Sequence, residues 1–396
     1  MINRELIRIK IVQLTYAYYQ NGDRNIDNAE KELLFSLSKA YDLYNDLLAL
    51  IVAVTKEARS QEEILAARAA REGKEPPSQK FAYNKFAVQL EENKMLSEFV
   101  ANQKTTWEDD LEFVRKLLSQ MQQSDLYKDY LAGPDESYEA EREFWRKLYK
   151  QNIQENSDLD ALLEDKSLYW NDDKEIVDTF VLKTIKRFDP EKGSKQELLP
   201  EYKDEEDRDF ARKLFRATIL NADNYQHYMS EASRNWDFSR LAYMDVVIMQ
   251  IAIAEMLTFQ NIPISVTINE YVNLAKLYST YQSGRYVNGM LDAIARHLNE
   301  TGKMAKPMSE PRPRVYPEEK KRTPRGTSGR RLRIQDEENQ LLNFKHQETE
   351  PSAPREEGVE KPDAPVDKEE DESAQTPSAD HAVEKTDNQV EPEGEK

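Results

Sequence analysis

The 396-residue sequence has no cysteine, only 11 glycines and only four histidines. Without cysteine the chain can form neither disulfides nor thiolate metal sites, which suits a reducing compartment. The histidines are scattered along the chain at His227, His297, His346 and His381. The sequence therefore indicates no histidine-rich metal site, and we expect no cofactor.

Long hydrophobic runs are also lacking. The first twenty residues, "MINRELIRIKIVQLTYAYYQ", interleave charged with apolar side chains, unlike the uninterrupted apolar core of a signal peptide. No window approaches the roughly 18 consecutive apolar residues that a membrane-spanning helix needs. We therefore predict a soluble, cytoplasmic protein without membrane contact.

Strand patterns are absent as well. Between Asn3 and Gly302 apolar residues recur at steps of three and four, which predicts an all-α fold. In "FSRLAYMDVVIMQIAIAEMLTF", one helical face carries Leu241, Met244, Ile248, Ile251 and Glu255. Ser239 is a candidate N-cap of this helix. Further helices are predicted near residues 3–20, 28–70, 84–125, 137–165, 172–188 and 207–233.

The composition changes after Lys303. Proline recurs and large apolar residues thin out, so residues 303–396 are predicted to be a disordered tail. Residues 303–333 are basic, and the chain is acidic from Ile334 onward. This tail is interpreted either as a solubilising extension or as a non-specific phosphate grip opposed by its acidic end.

Four sequence segments together carry a resemblance. They are "RLAYMDVVIMQIAIAE", "IPISVTINEYVNLAK" and "YVNGMLDAI" within residues 235–298, and "RIKIVQLTYAYYQ" at 8–20. In this order and spacing they resemble the NusB family of bacterial transcription antitermination factors. The resemblance implies a helical bundle of two small subdomains, with the first helix packed beside the C-terminal ones. The chain then divides into a first helix (1–20), additional helices (21–204), a C-terminal helical core (205–302) and the tail (303–396).

The resemblance also implies a function without catalysis. Family members bind boxA-like ribosomal leader RNA together with the ribosomal protein NusE, and through this complex act with RNA polymerase and other Nus factors. A fused RNA methyltransferase would need a glycine-rich nucleotide turn and a cysteine nucleophile, which this sequence lacks. The remaining alternative is a helical interaction scaffold or rRNA maturation factor without specific RNA recognition.

Candidate RNA ligands lie in two segments. On the first helix, Arg4 and Arg8 share a face, with Lys10 nearby, and the resemblance favours RNA contact over a solvated helix face. The second segment is the corner "QSGRYVN" with the helix end before it, which supplies Lys276, Tyr278, Gln282, Ser283, Arg285 and Tyr286. Cations grip phosphates and aromatic rings stack on bases. Alternatively, Ser283 caps the next helix and Tyr286 is a core-edge residue.

Several neighbouring positions have specific expectations. Tyr16 and Asp245 match family positions that contact the ribosomal protein, and Tyr18 lies close by. Gly284 is expected to permit a left-handed turn, and Gly289 a close helix contact. Glu255 falls on an apolar stripe and needs a partner such as a backbone amide or an arginine. Gln250 stands where family members carry a basic residue, which weakens the predicted phosphate grip.

Overall fold

The computed structural model describes residues 1–21, 25–170, 172–232, 241–280, 282–304 and 306. These ranges contain helices and one short 3-10 helix, Pro190–Lys195. The helices are α1 (Arg4–Gln20), α2 (Ile26–Glu72), α3 (Lys85–Glu91), α4 (Lys94–Ala101), α5 (Leu111–Gln123), α6 (Asp125–Ala132), α7 (Tyr138–Asn152), α8 (Ser157–Lys166), α9 (Lys174–Arg187), α10 (Glu205–Leu220), α11 (Ala222–Ala232), α12 (Tyr243–Thr258), α13 (Ile264–Tyr278) and α14 (Ser283–Glu300).

The all-α prediction is confirmed. The described residues contain no strand, only an isolated parallel bridge between Ile2 and Tyr202. None of the described helices has both the length and the apolar character needed to cross a membrane. The prediction of one helix over 84–125 is wrong: Asn84, Asn93 and Ser124 accept backbone hydrogen bonds as N-caps and start new helices there. The candidate cap Ser239 lies outside the described residues.

Helix α2 organises the additional helices. It has 47 residues, a length of about 70 Å. Its N-cap Asn25 accepts from two backbone amides, and it ends at Gly73, whose φ of 63° suits glycine. Helices α1, α3, α5, α9 and α10 pack along it. Trp107 and Trp145 are buried in this region, so the additional helices enclose large apolar side chains.

The C-terminal helices surround α12, of whose 16 residues 13 are buried. Helices α10, α13 and α14 pack around it, and α1 joins them from the start of the chain. Buried side chains from α1, from the additional helices and from α10–α14 form one contiguous apolar core. The first helix thus packs beside the C-terminal ones, as the resemblance implies.

The folded part extends beyond the predicted boundary at residue 302. Met304 and Lys306 are buried. The Lys306 ammonium donates to the carbonyl of Ile262 at 3.0 Å, and the Asn299 side chain donates to the Lys306 carbonyl at 2.9 Å. The prediction of disorder is therefore wrong for these first tail residues, and residues 307–396 lie outside the described part.

Candidate nucleic-acid interface

Helix α1 places its cations by packing its apolar face inward. Asn3 caps the helix by accepting from the amide of Leu6 at 2.9 Å. Leu6, Ile7, Ile11 and Val12 are fully buried against the core. Because α1 cannot rotate without exposing these apolar residues, the direction in which each of its basic side chains points is fixed.

Arg8 is buried, not solvent-facing. Its guanidinium donates twice to the carboxylate of Glu255, with Nε–Oε2 at 2.8 Å and Nη2–Oε1 at 2.9 Å. The hydroxyls of Thr267 and Tyr271 also donate to Glu255, both at 2.9 Å. Burial opposes the charge on Arg8, but the hydrogen bonds and charge of Glu255 outweigh it and raise the pKa of the guanidinium. The expectation that Glu255 has a partner is confirmed, and that partner is Arg8.

Lys10 is also buried, with 2% of its surface exposed. Its ammonium lies 2.7 Å from the Asp173 carboxylate and donates to the carbonyl of Tyr169 at 2.8 Å. Burial raises the pKa of Asp173 to about 6, although the nearby Lys10 charge opposes the shift. In this arrangement neither Arg8 nor Lys10 is free to reach an RNA backbone, because each is paired with a carboxylate inside the fold. Their contact with RNA would require that carboxylate to move away, and it stays a prediction.

Arg4 lies at the edge of the same helix and is partly exposed. Its guanidinium contacts Glu206 at 2.5 Å and Asp207 at 3.3 Å, both in the first turn of α10. It also stacks over the Phe210 ring at 5.0 Å from the centroid. Because one face of Arg4 stays accessible, an RNA phosphate would have to compete with these two carboxylates.

The corner between α13 and α14 carries accessible cations. Lys276 and Arg285 are exposed, and neither forms an ion pair with another described residue. Gly284 is helical, so the expectation of a left-handed turn is wrong. A Cβ at Gly284 would lie 2.8 Å from the Lys276 side chain, so glycine leaves room for that lysine. Gly289 has no neighbour within 4 Å of such a Cβ, which overturns the predicted close helix contact.

Ser283 and Asp245 bind each other inside this corner. The Ser283 hydroxyl donates to Asp245 Oδ2 at 2.9 Å, and both residues are buried. Burial raises the pKa of Asp245, and hydrogen bonds from Ser279 and Ser283 oppose the shift. The expected exposure of Ser283 to RNA and of Asp245 to a protein partner is therefore corrected. Gln282 is exposed at the α14 N-cap, and Tyr286 is half-buried beside it.

Two tyrosines of α1, Tyr16 and Tyr19, contact α12. The rings of Tyr16 and Tyr243 meet edge-on at 5.8 Å, and those of Tyr18 and Tyr19 at 5.5 Å. Gln250 is 1% exposed and donates to the Tyr19 hydroxyl at 2.6 Å. A basic residue at position 250 would be buried, so glutamine there removes no accessible charge. Tyr16 and Tyr18 are half-buried, and their role at a protein interface stays a prediction.

The two candidate segments lie side by side but do not meet at one point. Arg8 Nη1 lies 3.5 Å from Glu270, and Gln13 donates to the Tyr278 hydroxyl at 3.1 Å. From residue 270 to 278, helix α13 rises by about 12 Å. Arg8 is thus about two turns of α13 away from the corner that carries Lys276 and Arg285, and Gln13 is the α1 residue beside Tyr278.

Sequence reasoning missed the acidic residues that hold the α1 cations. Asp172 and Asp173 follow a turn and precede α9, and Glu206 and Asp207 open α10. Acidic residues at a helix start are a recognisable N-terminal signal. That signal predicts where the helix begins, but it does not show which distant cation the carboxylates face.

The geometry describes an all-helical protein whose first helix is joined to its C-terminal helices by a buried ion pair. The NusB family model matches residues 177–296, so it begins within α9, before the predicted boundary at 205. "Transcription antitermination protein NusB" of Salinibacter ruber is 33% identical over 132 residues, which cover 32% of this chain and 82% of that protein. The chain belongs to the NusB family and is a long form of it.

Other relatives with the same description match a shorter part. The protein of Chloroherpeton thalassium is 37% identical over 99 residues, 25% of this chain and 47% of the relative. That of Dictyoglomus turgidum is 40% identical over 95 residues, 24% of this chain and 66% of the relative. No solved structure matches the chain.

Proposed function

We propose that this chain is a transcription antitermination factor that binds boxA-like leader RNA together with the ribosomal protein NusE. Through that complex it acts with RNA polymerase and other Nus factors, and the proposal includes no catalytic step. Membership of the NusB family supports the antitermination role. Tyr16 and Tyr18 on α1 are the proposed contacts to the protein partner.

The observation that carries RNA binding is the pair of exposed cations at the α13–α14 corner. Lys276 and Arg285 are flanked by Tyr278 and Tyr286, and Gln282 lies exposed between them. Single-stranded RNA is bound by cations that meet phosphates and by aromatic or amide groups that meet unstacked bases. The corner combines these groups, and Arg4, on α1 and away from the corner, is a partly neutralised further cation.

The test is a titration of the full chain with boxA-like RNA, with and without NusE, at two salt concentrations. We expect binding that prefers the boxA-like sequence, strengthens with NusE and weakens as salt rises. Lys276→Gln and Arg285→Gln should each flatten the salt dependence, by about 0.7 in the logarithmic slope for each RNA phosphate that the variant no longer neutralises. Arg296→Gln is the matched control, because Arg296 lies on α14 but is already paired with Asp292 at 2.7 Å.

A second candidate function is an interaction scaffold without specific RNA recognition. It is favoured by the three α1 cations, since Arg4, Arg8 and Lys10 all face carboxylates of the same chain. RNA binding that ignores sequence, and that is the same with and without NusE, would support the scaffold. Weaker RNA binding only in the Lys276 and Arg285 variants, with the Arg296 variant unchanged, would exclude it.

A further inference from the structure

The loop between α8 and α9 lies across the candidate RNA face. We call its described residues, 167–170, 172 and 173, the acidic strap. Asp173 pairs with Lys10 on α1, and the Tyr169 carbonyl accepts from the same ammonium. Asp172 accepts from Gln13 at 2.9 Å and from the Tyr278 hydroxyl at 3.4 Å. The strap therefore contacts both helices that carry the predicted RNA ligands.

The other side of the strap is attached to α2. The Tyr169 hydroxyl donates to Glu32 at 2.5 Å, and its ring packs on Phe35 at 5.3 Å. The Trp170 indole donates to the carbonyl of Lys39 at 2.7 Å. The strap is thus held at one end by the additional helices and presents its two carboxylates to α1 and α13 at the other.

The carboxylates occupy positions that suit a phosphate. An ammonium and a phosphodiester oxygen form the same charge-assisted contact as an ammonium and a carboxylate. Asp173 neutralises Lys10, and Asp172 takes up the donors of Gln13 and Tyr278, which would otherwise be open to a base or phosphate. While the strap is in place, RNA can use the corner cations but not this part of α1.

We propose that the acidic strap is an autoinhibitory contact, which competes with RNA for the α1–α13 face and is displaced when RNA binds in full. The proposal rests on the proposed RNA-binding function. It gives the additional helices a role, because they hold the competitor in place. Displacement would expose Lys10 as one further phosphate ligand.

The first test uses the unmodified full chain and hydrogen–deuterium exchange. On adding boxA-like RNA with NusE, we expect the amides of the strap to exchange faster, because the strap leaves α1. Unchanged or slower exchange there, with protection at the α13–α14 corner, would overturn the strap proposal and leave the RNA-binding function standing.

The second test is the double variant Asp172→Asn, Asp173→Asn. We expect RNA affinity to rise by about fivefold or more, the lower end of typical coupling between linked equilibria. The salt slope should steepen by about 0.7, because Lys10 gains a phosphate. The control is Glu108→Gln, Asp109→Asn, which removes two exposed acids from another loop of the additional helices.

The two proposals fail in distinguishable ways. If the double variant gains no more RNA affinity than the control and its salt slope is unchanged, the gain reflects only weaker repulsion of RNA by fewer acidic residues. That result would overturn the strap proposal. If neither the parent nor the variant binds RNA with NusE, the RNA-binding function fails and the strap proposal fails with it. The exchange measurement covers the case in which the double variant does not fold, because it needs no substitution.

Discussion

At the scale of single residues, the Glu255 carboxylate links α1 to α12 and α13. It is fully buried and accepts four hydrogen bonds, two from Arg8 and one each from Thr267 and Tyr271. Burying two charges is costly, and it is tolerated only when both are paired and hydrogen-bonded as they are here. Burial, with the charge of Glu255, also holds the pKa of Tyr271 well above its usual range.

We expect Glu255→Gln to lower the free energy of unfolding by about 3–5 kcal/mol, because it leaves the Arg8 guanidinium buried without its counter-charge. Chemical denaturation measures this loss. The matched control is Glu270→Gln, since Glu270 lies 3.5 Å from the same guanidinium but is partly exposed and should cost less than about 1 kcal/mol. Equal losses in the two variants would contradict the proposed importance of the buried pair.

The need of Glu255 for a partner could be predicted from its place on an apolar stripe. Its identity could not, because Arg8 is 247 residues away and nothing local distinguishes it from the other arginines. The same limit explains why the partners of Arg4 and Lys10 were not predicted. Both residues lie on α1, as the sequence predicts, but Arg4 faces carboxylates of α10 and Lys10 faces a carboxylate of the acidic strap. Sequence periodicity predicts which face of a helix is buried, not which charge meets it.

Among the helices, those with long apolar periodicity were predictable. Helices α1, α2 and α9 lie within a few residues of their predicted ranges. The helix boundaries within residues 84–125 could not be predicted in this way. Apolar residues keep their helical spacing across Asn93 and Ser124, although each of these residues caps a new helix. In the sequence, a side-chain cap appears only as one polar residue within a helical pattern. It therefore marks the end of a helix less clearly than proline or glycine does.

Helix α2 carries a buried acid that makes stability depend on pH. Burial raises the pKa of Glu62 to about 7, and one carboxylate oxygen has no hydrogen-bond partner among the described residues. The folded state therefore holds this proton more tightly than the unfolded state. The contribution of Glu62 to stability is fully present below about pH 4.5 and is lost as pH rises through about 7.

We accordingly expect Glu62→Gln to stabilise the protein at pH 8, by roughly 1–2 kcal/mol, and to have little effect near pH 4.5. Urea unfolding at the two pH values measures the difference. The neighbouring Glu63 is exposed on the same helix, so Glu63→Gln should behave like the parent at both. A stabilisation by Glu62→Gln that does not change with pH would exclude this origin.

At the scale of the whole molecule, the additional helices share one contiguous apolar core with α1 and α10–α14, which we call the family core. Helix α2 packs on α1 and α10, so the additional helices cannot separate without exposing buried residues of the family core. The division at residues 20 and 204 describes where the resemblance lies along the sequence. It remains a proposal as a division of the folded chain.

This shared core predicts a single unfolding transition. In Trp236→Phe, the remaining tryptophans are Trp107, Trp145 and Trp170, all in the additional helices. Their fluorescence should then follow the same denaturation curve as far-ultraviolet circular dichroism, which reports all helices. Two separated transitions would show that the additional helices unfold on their own.

The Arg8–Glu255 joint also has a consequence for synthesis of the chain. Residue 8 leaves the ribosome long before residue 255, and at about 5–20 residues per second the delay is roughly 12–50 s. Throughout that interval the basic, apolar first helix lacks the surface that later covers it. We therefore expect nascent α1 to be open to chaperones during this interval, and the buried Arg8–Glu255 pair to form only after residue 255 has emerged.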